Sequence, residues 1–132
     1  MRPVLLLLAL LMGCDPWPEV EKANTIEAYE KFLAENPTSM KAVEARARLE
    51  QLYLDKARTE KTIEAYDAYV KRFPKGDLAE DANKERDMVY WDWCEKTDTP
   101  EAWQKYIDEN PKSEKPRMSL TRGIPSIDET IG

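Results

Sequence analysis

Thirteen residues decide the fold, the stretch Thr25–Pro37 with the sequence TIEAYEKFLAENP. This stretch returns 37 residues later as TIEAYDAYVKRFP at Thr62–Pro74, and again as TPEAWQKYIDENP at Thr99–Pro111. The first copy is identical to the second at six of the thirteen positions and to the third at seven. An internal period of this kind is the sequence signature of a repeat architecture.

Each copy predicts a short helix. It opens on a threonine, which is a good N-cap residue, and closes on a proline, which ends a helix. In the third copy Pro100 takes the first helical position, where its fixed φ is favourable. Apolar residues recur at helical spacing, so that Ile26, Tyr29 and Phe32 share one face. We interpret this face as core.

A second, longer helix is predicted between consecutive copies. It carries small residues early, at Ala42 and Ala45 and again 37 residues later at Ala79 and Ala82. Small residues allow a neighbouring helix to approach closely. Two helices in each unit predict an all-α fold, a short solenoid of antiparallel helix pairs over residues 20–113.

This pattern resembles the tetratricopeptide-like (TPR) repeats of bacterial envelope lipoproteins, a broad group that includes barrel-assembly and Tol-Pal-associated repeat proteins. The first copy of the resembling signature consists of Ala28, Tyr29, Phe32, Leu33, Asn36, Pro37, Ala42, Ala45, Leu49 and Tyr53. The period is longer than the usual 34 residues, and Glu50 and Asp87 stand where a small residue is usual. The resemblance implies a helical scaffold that binds protein partners.

The chain opens with a leader. Arg2 and Pro3 precede nine apolar residues, a pattern that predicts a signal peptide over residues 1–13. Nine helical residues reach about 14 Å, which is too short to cross a bilayer. The pair Gly13-Cys14 that follows resembles a bacterial lipobox, in which cleavage precedes Cys14 and that cysteine receives diacylglycerol and an acyl chain such as palmitate. The alternative is an ordinary secretory signal with a chance cysteine.

Residues 14–19 are predicted to be the lipidated cysteine and a short linker, stiffened by Pro16 and Pro18. The chain would then be lipid-anchored to the bacterial cell membrane or outer membrane, facing the periplasm or the exterior. Two interpretations of Trp17 stay open. It contacts the lipid interface, or it packs at the repeat position that it shares with Trp91.

The third repeat lacks its long helix. Pro116, Gly123 and Pro125 stand where that helix would run, and they break helices. Residues 114–132 are therefore predicted to be an irregular or disordered tail. It orders on a partner, folds back as an irregular cap, or is the truncated end of a longer ancestor, and the sequence leaves these alternatives open.

Composition argues against catalysis. The chain has 20 basic and 26 acidic residues and a net charge of −6, which disfavours nucleic acid as a partner. It has no histidine, which excludes histidine-based triads and histidine metal sites. Cys94 shares its repeat position with Ala57, which indicates a small buried site. We predict no catalytic residues, no metal, no cofactor and no small-molecule substrate.

The candidate binding residues are Trp91 and Trp93. Because they are two residues apart, they cannot lie on the same face of a helix. One is expected to be exposed or covered by the tail, and exposed tryptophan is a frequent binding hot spot. The alternative is that the second also packs, on the third short helix near Trp103.

Together these features predict a membrane-anchored helical-repeat lipoprotein, a protein–protein interaction module or scaffold in the cell envelope. Two alternatives stay open. The first is an accessory subunit of a larger envelope assembly complex, and the second is a truncated remnant of a longer repeat protein. The sequence specifies neither the partner nor the oligomeric state.

Overall fold

The computed structural model describes residues 15–111 and residue 113, and these contain six α-helices and no strand. The helices are α1 (Trp17–Ala23), α2 (Ile26–Glu35), α3 (Ala42–Glu60), α4 (Ile63–Arg72), α5 (Ala79–Thr97) and α6 (Pro100–Glu109). The predicted all-α class is confirmed. The predicted signal peptide with Gly13, the predicted lipidation site Cys14 and the predicted tail 114–132 lie outside the described residues.

The three short helices α2, α4 and α6 begin in the same way. Thr25, Thr62 and Thr99 each accept, on the side-chain oxygen, a hydrogen bond from the backbone N–H three residues further on. These are the N-caps predicted from the sequence, and a cap of this type stabilises a helix by about 1 kcal/mol. The C-caps are Asn36, Phe73 and Asn110, with φ values of −131°, −129° and −127°.

The turns that precede the short helices also share one conformation. Asn24, Lys61 and Asp98 have φ values of 48°, 52° and 47°, in the left-handed region. Asparagine and aspartate are among the residues that tolerate this region best, whereas lysine does so less readily. Each of these residues stands directly before the threonine that caps the next helix, so the chain reverses at the same point of each copy.

Helix α1 begins at Trp17, inside the stretch 14–19 that the sequence assigns to the linker. Asp15 explains the early start, because its Oδ1 accepts a hydrogen bond from the backbone N–H of Trp17 at 3.1 Å. Pro18 is compatible with the first turn, where no intrahelical N–H bond is required. The helix therefore starts three residues before the boundary expected at Val20.

The chain divides into two units between Leu52 and Tyr53, a boundary inside α3. In the N-terminal unit Trp17 is buried, with its ring centroid 5.2 Å from that of Phe32 and 6.1 Å from that of Tyr29. Of the two interpretations of Trp17, the structure therefore supports packing.

The C-terminal unit has two groups of buried residues. The first joins α3, α4 and α5 and consists of Leu54, Ala57, Ala65, Tyr66, Tyr69 and Ala82. The second joins α5 and α6 and consists of Tyr90, Cys94, Ala102, Trp103 and Tyr106. Along α6 from Ala102 to Asn110 the partners on α5 run backwards from Cys94 to Arg86, so these two helices are antiparallel. Within residues 15–111, no helix is both long enough and apolar enough to cross a membrane.

Candidate interaction groove

The two candidate tryptophans face different surroundings. Trp91 is half-buried, with its ring centroid 4.9 Å from that of Trp103 and 5.7 Å from that of Tyr106. It therefore packs on α6. Trp93 keeps 37% of its surface exposed. The sequence leaves open whether one of the pair is exposed or covered by the tail, or whether the second also packs near Trp103; in the structure Trp93 is the more exposed of the two.

Trp93 lies on the wall of a groove between the start of α4, the second half of α5 and α6. We call this groove the interaction groove. The groove has a volume of about 470 Å³. Its lining residues are Lys61, Thr62, Ile63, Glu64, Asp67, Val89, Asp92, Trp93, Lys96, Lys105 and Glu109. The large apolar side chains among them are Ile63, Val89 and Trp93, so a small apolar centre is surrounded by charges of both signs.

Two ion pairs of the groove lie along single helices. Lys96 Nζ lies 2.6 Å from Asp92 Oδ2 on α5, and Lys105 Nζ lies 4.0 Å from Glu109 Oε1 on α6. The Lys105 ammonium also lies 5.9 Å from the ring centroid of Trp93, a cation–π distance. Exposed pairs of this kind contribute little to stability, so a partner's charges can replace them at small cost.

Tyr90 supports Trp93 from inside the unit. Its ring is fully buried and meets the Trp93 ring edge to face, with the centroids 5.6 Å apart. Among the described residues its hydroxyl has no hydrogen-bond partner of ordinary geometry. Burial raises the pKa of Tyr90, and the nearby Glu109 carboxylate raises it further. The hydroxyl therefore stays protonated at physiological pH.

Arg86 holds the two sides of the groove together. From α5 its guanidinium donates to Asp67 on α4 and, through Nη1, to Asn110 Oδ1 after α6 at 2.8 Å. Nη2 lies 3.5 Å from Glu109 Oε2, and the guanidinium carbon lies 5.5 Å from the Tyr90 ring centroid. A planar fork with several donors suits such a junction better than an ammonium does.

Glu85, the residue before Arg86, joins α5 to two further helices. Its carboxylate accepts three hydrogen bonds from Nε and Nη2 of Arg58 on α3 and one, at 3.0 Å, from the hydroxyl of Tyr66 on α4. The hydrogen bond from Arg58 holds the pKa of Glu85 below its ordinary value, and the bond from Tyr66 lowers it further. Glu85 and Arg86 together therefore tie α3, α4 and α6 to α5.

Asp87 on α5 supplies an acceptor to a buried tyrosine of α6. Its Oδ1 accepts a hydrogen bond from the hydroxyl of Tyr106, which also shares a 2.7 Å hydrogen bond with Ser113 Oγ. Burial raises the pKa of Tyr106, and the hydrogen bond to Asp87 raises it further. The carboxylate of Asp87 thereby gives the buried phenol of Tyr106 the acceptor that it needs.

Cys94 lies in the core, as its repeat position predicts. Its side chain is fully buried, and Sγ lies 3.4 Å from the carbonyl oxygen of Ala102, to which it donates. Burial raises the pKa of the Cys94 thiol to about 11. At neutral pH this sulfur is therefore a protonated thiol, which is a poor nucleophile.

Sequence reasoning missed most of the groove. The sequence predicts Thr62 only as a helix cap, and it assigns no role to Lys61 or Arg86. The groove also needs α4 and α6 on either side of α5, and no single copy of the repeat contains all three helices.

Comparisons with protein-family models, with curated proteins and with solved structures find no match for this chain. Among residues 15–111 and residue 113, no group of three or more histidine, cysteine, aspartate or glutamate side chains is arranged to hold a metal ion.

Proposed function

We propose that this chain is a lipid-anchored, non-catalytic protein-interaction module of the bacterial cell envelope. Its anchor is the acylated Cys14, and its binding site is the interaction groove around Trp93. The helices form a short TPR-like solenoid with a 37-residue period. The partner is a protein segment that places an apolar side chain against Trp93 and charged side chains against the rim.

Recurring backbone geometry supports the solenoid. The left-handed residues Asn24, Lys61 and Asp98 stand 37 residues apart, as do the threonine caps that follow them. The long helices α3 and α5 start at Ala42 and Ala79, which is the same spacing. Repeat units of this kind stack on their neighbours and present a continuous surface for partners.

The exposure of Trp93 carries the proposal. Its neighbour Tyr90 is buried, yet Trp93 remains open beside Ile63 and Val89. Binding hot spots are enriched in tryptophan, and polar groups that exclude water surround them. The ion pairs of the groove supply such a rim.

The state of Cys94 supports a role without catalysis. It is the one cysteine among the described residues, and burial keeps it protonated. A nucleophilic cysteine needs a thiolate that a substrate can reach. The chain also has no histidine that could act as a general base.

The proposal is tested by purification from membranes after chemical crosslinking in intact cells. The full chain is compared with Trp93→Ala, with Met88→Ala as the matched control, and with Cys14→Ala. Met88 is on the same helix and is 59% exposed, but it does not line the groove.

We expect one dominant crosslinked partner, retained with Met88→Ala, lost with Trp93→Ala and lost or much reduced with Cys14→Ala. Equal recovery of that partner with Trp93→Ala would contradict the groove as the binding site. Recovery of Cys14→Ala in the membrane fraction would contradict the lipid anchor.

A further inference from the structure

The N-terminal unit exposes two large apolar side chains three residues apart in the sequence. Met40 is 98% exposed and Val43 is 74% exposed. Val43 lies in the first turn of α3, and the turn that carries Met40 is held by a 3.1 Å hydrogen bond from the backbone N–H of Lys41 to Ser39 Oγ. We call these two residues the Met40–Val43 patch.

Contacts within the unit hold this patch next to the start of the described chain. The Nζ atom of Lys41, the residue between the two, lies 5.2 Å from the ring centroid of Trp17. The hydrogen bond to Glu44 raises the pKa of Lys41 most, and Asp15 is close enough to contribute as well. Asp15 directly follows Cys14, and Trp17 is three residues from it, a separation of at most about 11 Å.

We propose that the Met40–Val43 patch inserts into the surface of the lipid bilayer that holds the acyl chains of Cys14. The proposal rests on the lipid anchor of the proposed function. The bilayer is the expected partner of the patch because the chain is continuous from Cys14 to Trp17. An anchor within about 11 Å of Trp17 brings the surface beside Trp17 to the bilayer.

The chemistry of the patch suits the bilayer interface. Exposed apolar side chains next to an anchor add to membrane binding by entering the boundary between headgroups and acyl chains. Arg46, one turn after Val43, is exposed. Long basic side chains such as Arg46 place their charge among lipid headgroups while their stems stay in apolar surroundings.

The test measures how deeply a label at position 40 lies in a membrane. The full chain carrying Met40→Cys is expressed from Met1, purified from membranes and labelled with a thiol-reactive fluorophore. Cys94 does not compete for the label because it is fully buried. The labelled chain is reconstituted into vesicles of phosphatidylethanolamine and phosphatidylglycerol, with or without lipids brominated on the acyl chains.

We expect the brominated lipids to quench the fluorescence of the label. We also expect aqueous iodide to quench the vesicle-bound label several-fold less than it quenches the label of a reference chain in solution. That reference is the unanchored Cys14→Ala, Met40→Cys chain without vesicles. The control is Met88→Cys, an exposed methionine of the C-terminal unit. A label at position 40 that iodide quenches as strongly on vesicles as in solution overturns the proposal. So does a label shielded from iodide but not quenched by brominated lipids, because protein then covers the patch. Equal lipid quenching at position 88 also overturns it, because the fluorophore itself would explain the signal.

Failure of the anchor is read separately, from the mass of the purified chain. An acylated Cys14 adds the mass of its lipid and takes no label, whereas an unmodified Cys14 takes a second fluorophore. If Cys14 is unmodified, the anchor of the proposed function fails and the present proposal fails with it. If Cys14 is acylated and the label stays in water, only the present proposal fails.

Discussion

Arg58 and Glu85 form a two-point ion pair that joins α3 to α5. Nε of Arg58 donates to Oε2 of Glu85 at 3.0 Å, and Nη2 donates to Oε1 at 2.7 Å. The hydroxyl of Tyr66 donates to the same carboxylate, so that three helices meet at one side chain. A paired group of this kind stabilises the fold in a way that depends on pH.

We expect Glu85→Gln to lower the free energy of unfolding at pH 7 by about 1 kcal/mol, since both partners are partly exposed. The pKa of Glu85 is lower in the folded chain than its ordinary value of 4.5. Its stabilisation is therefore fully present above pH 4.5 and is lost as the pH falls through the folded-state pKa. Urea unfolding at several pH values measures both effects.

The control for Glu85 is Glu80→Gln, which removes an exposed ion pair with Lys84 on the same helix. We expect no measurable change in the unfolding midpoint at pH 7. A Glu85→Gln variant that is as stable as the unchanged chain at pH 7 would contradict the role of Glu85 as a junction.

Arg86→Lys keeps the positive charge and removes the planar fork that reaches α4 and α6. Because an ammonium cannot bond Asp67 and Asn110 in the same geometry, we expect a loss of about 1–3 kcal/mol in unfolding free energy. The matched control is Lys84→Arg, an exposed neighbour on α5. A thermal midpoint for Arg86→Lys as high as for Lys84→Arg would show that the charge alone suffices.

Cys94 is expected to resist thiol reagents while the chain is folded. In a Cys14→Ala background it is the sole thiol, and its pKa of about 11 keeps it protonated at pH 8. We expect slow reaction with a disulfide reagent in buffer and rapid reaction above the urea unfolding midpoint. Met88→Cys in the same background supplies a fast-reacting control. Equal rates for the two thiols in buffer would contradict the burial of Cys94.

Substitution of Trp91 is expected to destabilise the fold, whereas substitution of Trp93 is expected to affect binding more than stability. Trp91→Ala removes the ring that packs on Trp103 and Tyr106, and it should lower the unfolding free energy by about 2–4 kcal/mol. Trp93→Ala removes one edge-to-face contact with Tyr90 and should cost at most about 1 kcal/mol. Urea denaturation followed by circular dichroism measures both. A larger loss of unfolding free energy for Trp93→Ala than for Trp91→Ala would contradict the assignment of Trp93 as the exposed tryptophan.

The sequence predicts the helices well because their ends are locally encoded. Thr25, Thr62 and Thr99 cap them through a single side chain, and the prolines that follow stop them. The predicted burial of Cys94 is confirmed as well, because a position shared with Ala57 leaves room only for a small side chain.

What the sequence does not predict depends on contacts between helices. The early start of α1 depends on the Asp15 carboxylate, which a boundary drawn at Val20 overlooks. Repeat spacing cannot decide between Trp91 and Trp93, since the choice depends on where Trp103 stands. The groove combines residues of three helices, and no single copy of the repeat contains it.

The central claim is that a partner protein contacts Trp93, and site-specific photocrosslinking in living cells tests it most directly. A photoreactive phenylalanine derivative is incorporated at position 93 of the full chain and, as control, at position 88. We predict one discrete crosslinked species on irradiation from position 93, with little or none from position 88. No crosslink from position 93 in folded, membrane-associated protein, or the same set of products from both positions, would contradict the claim.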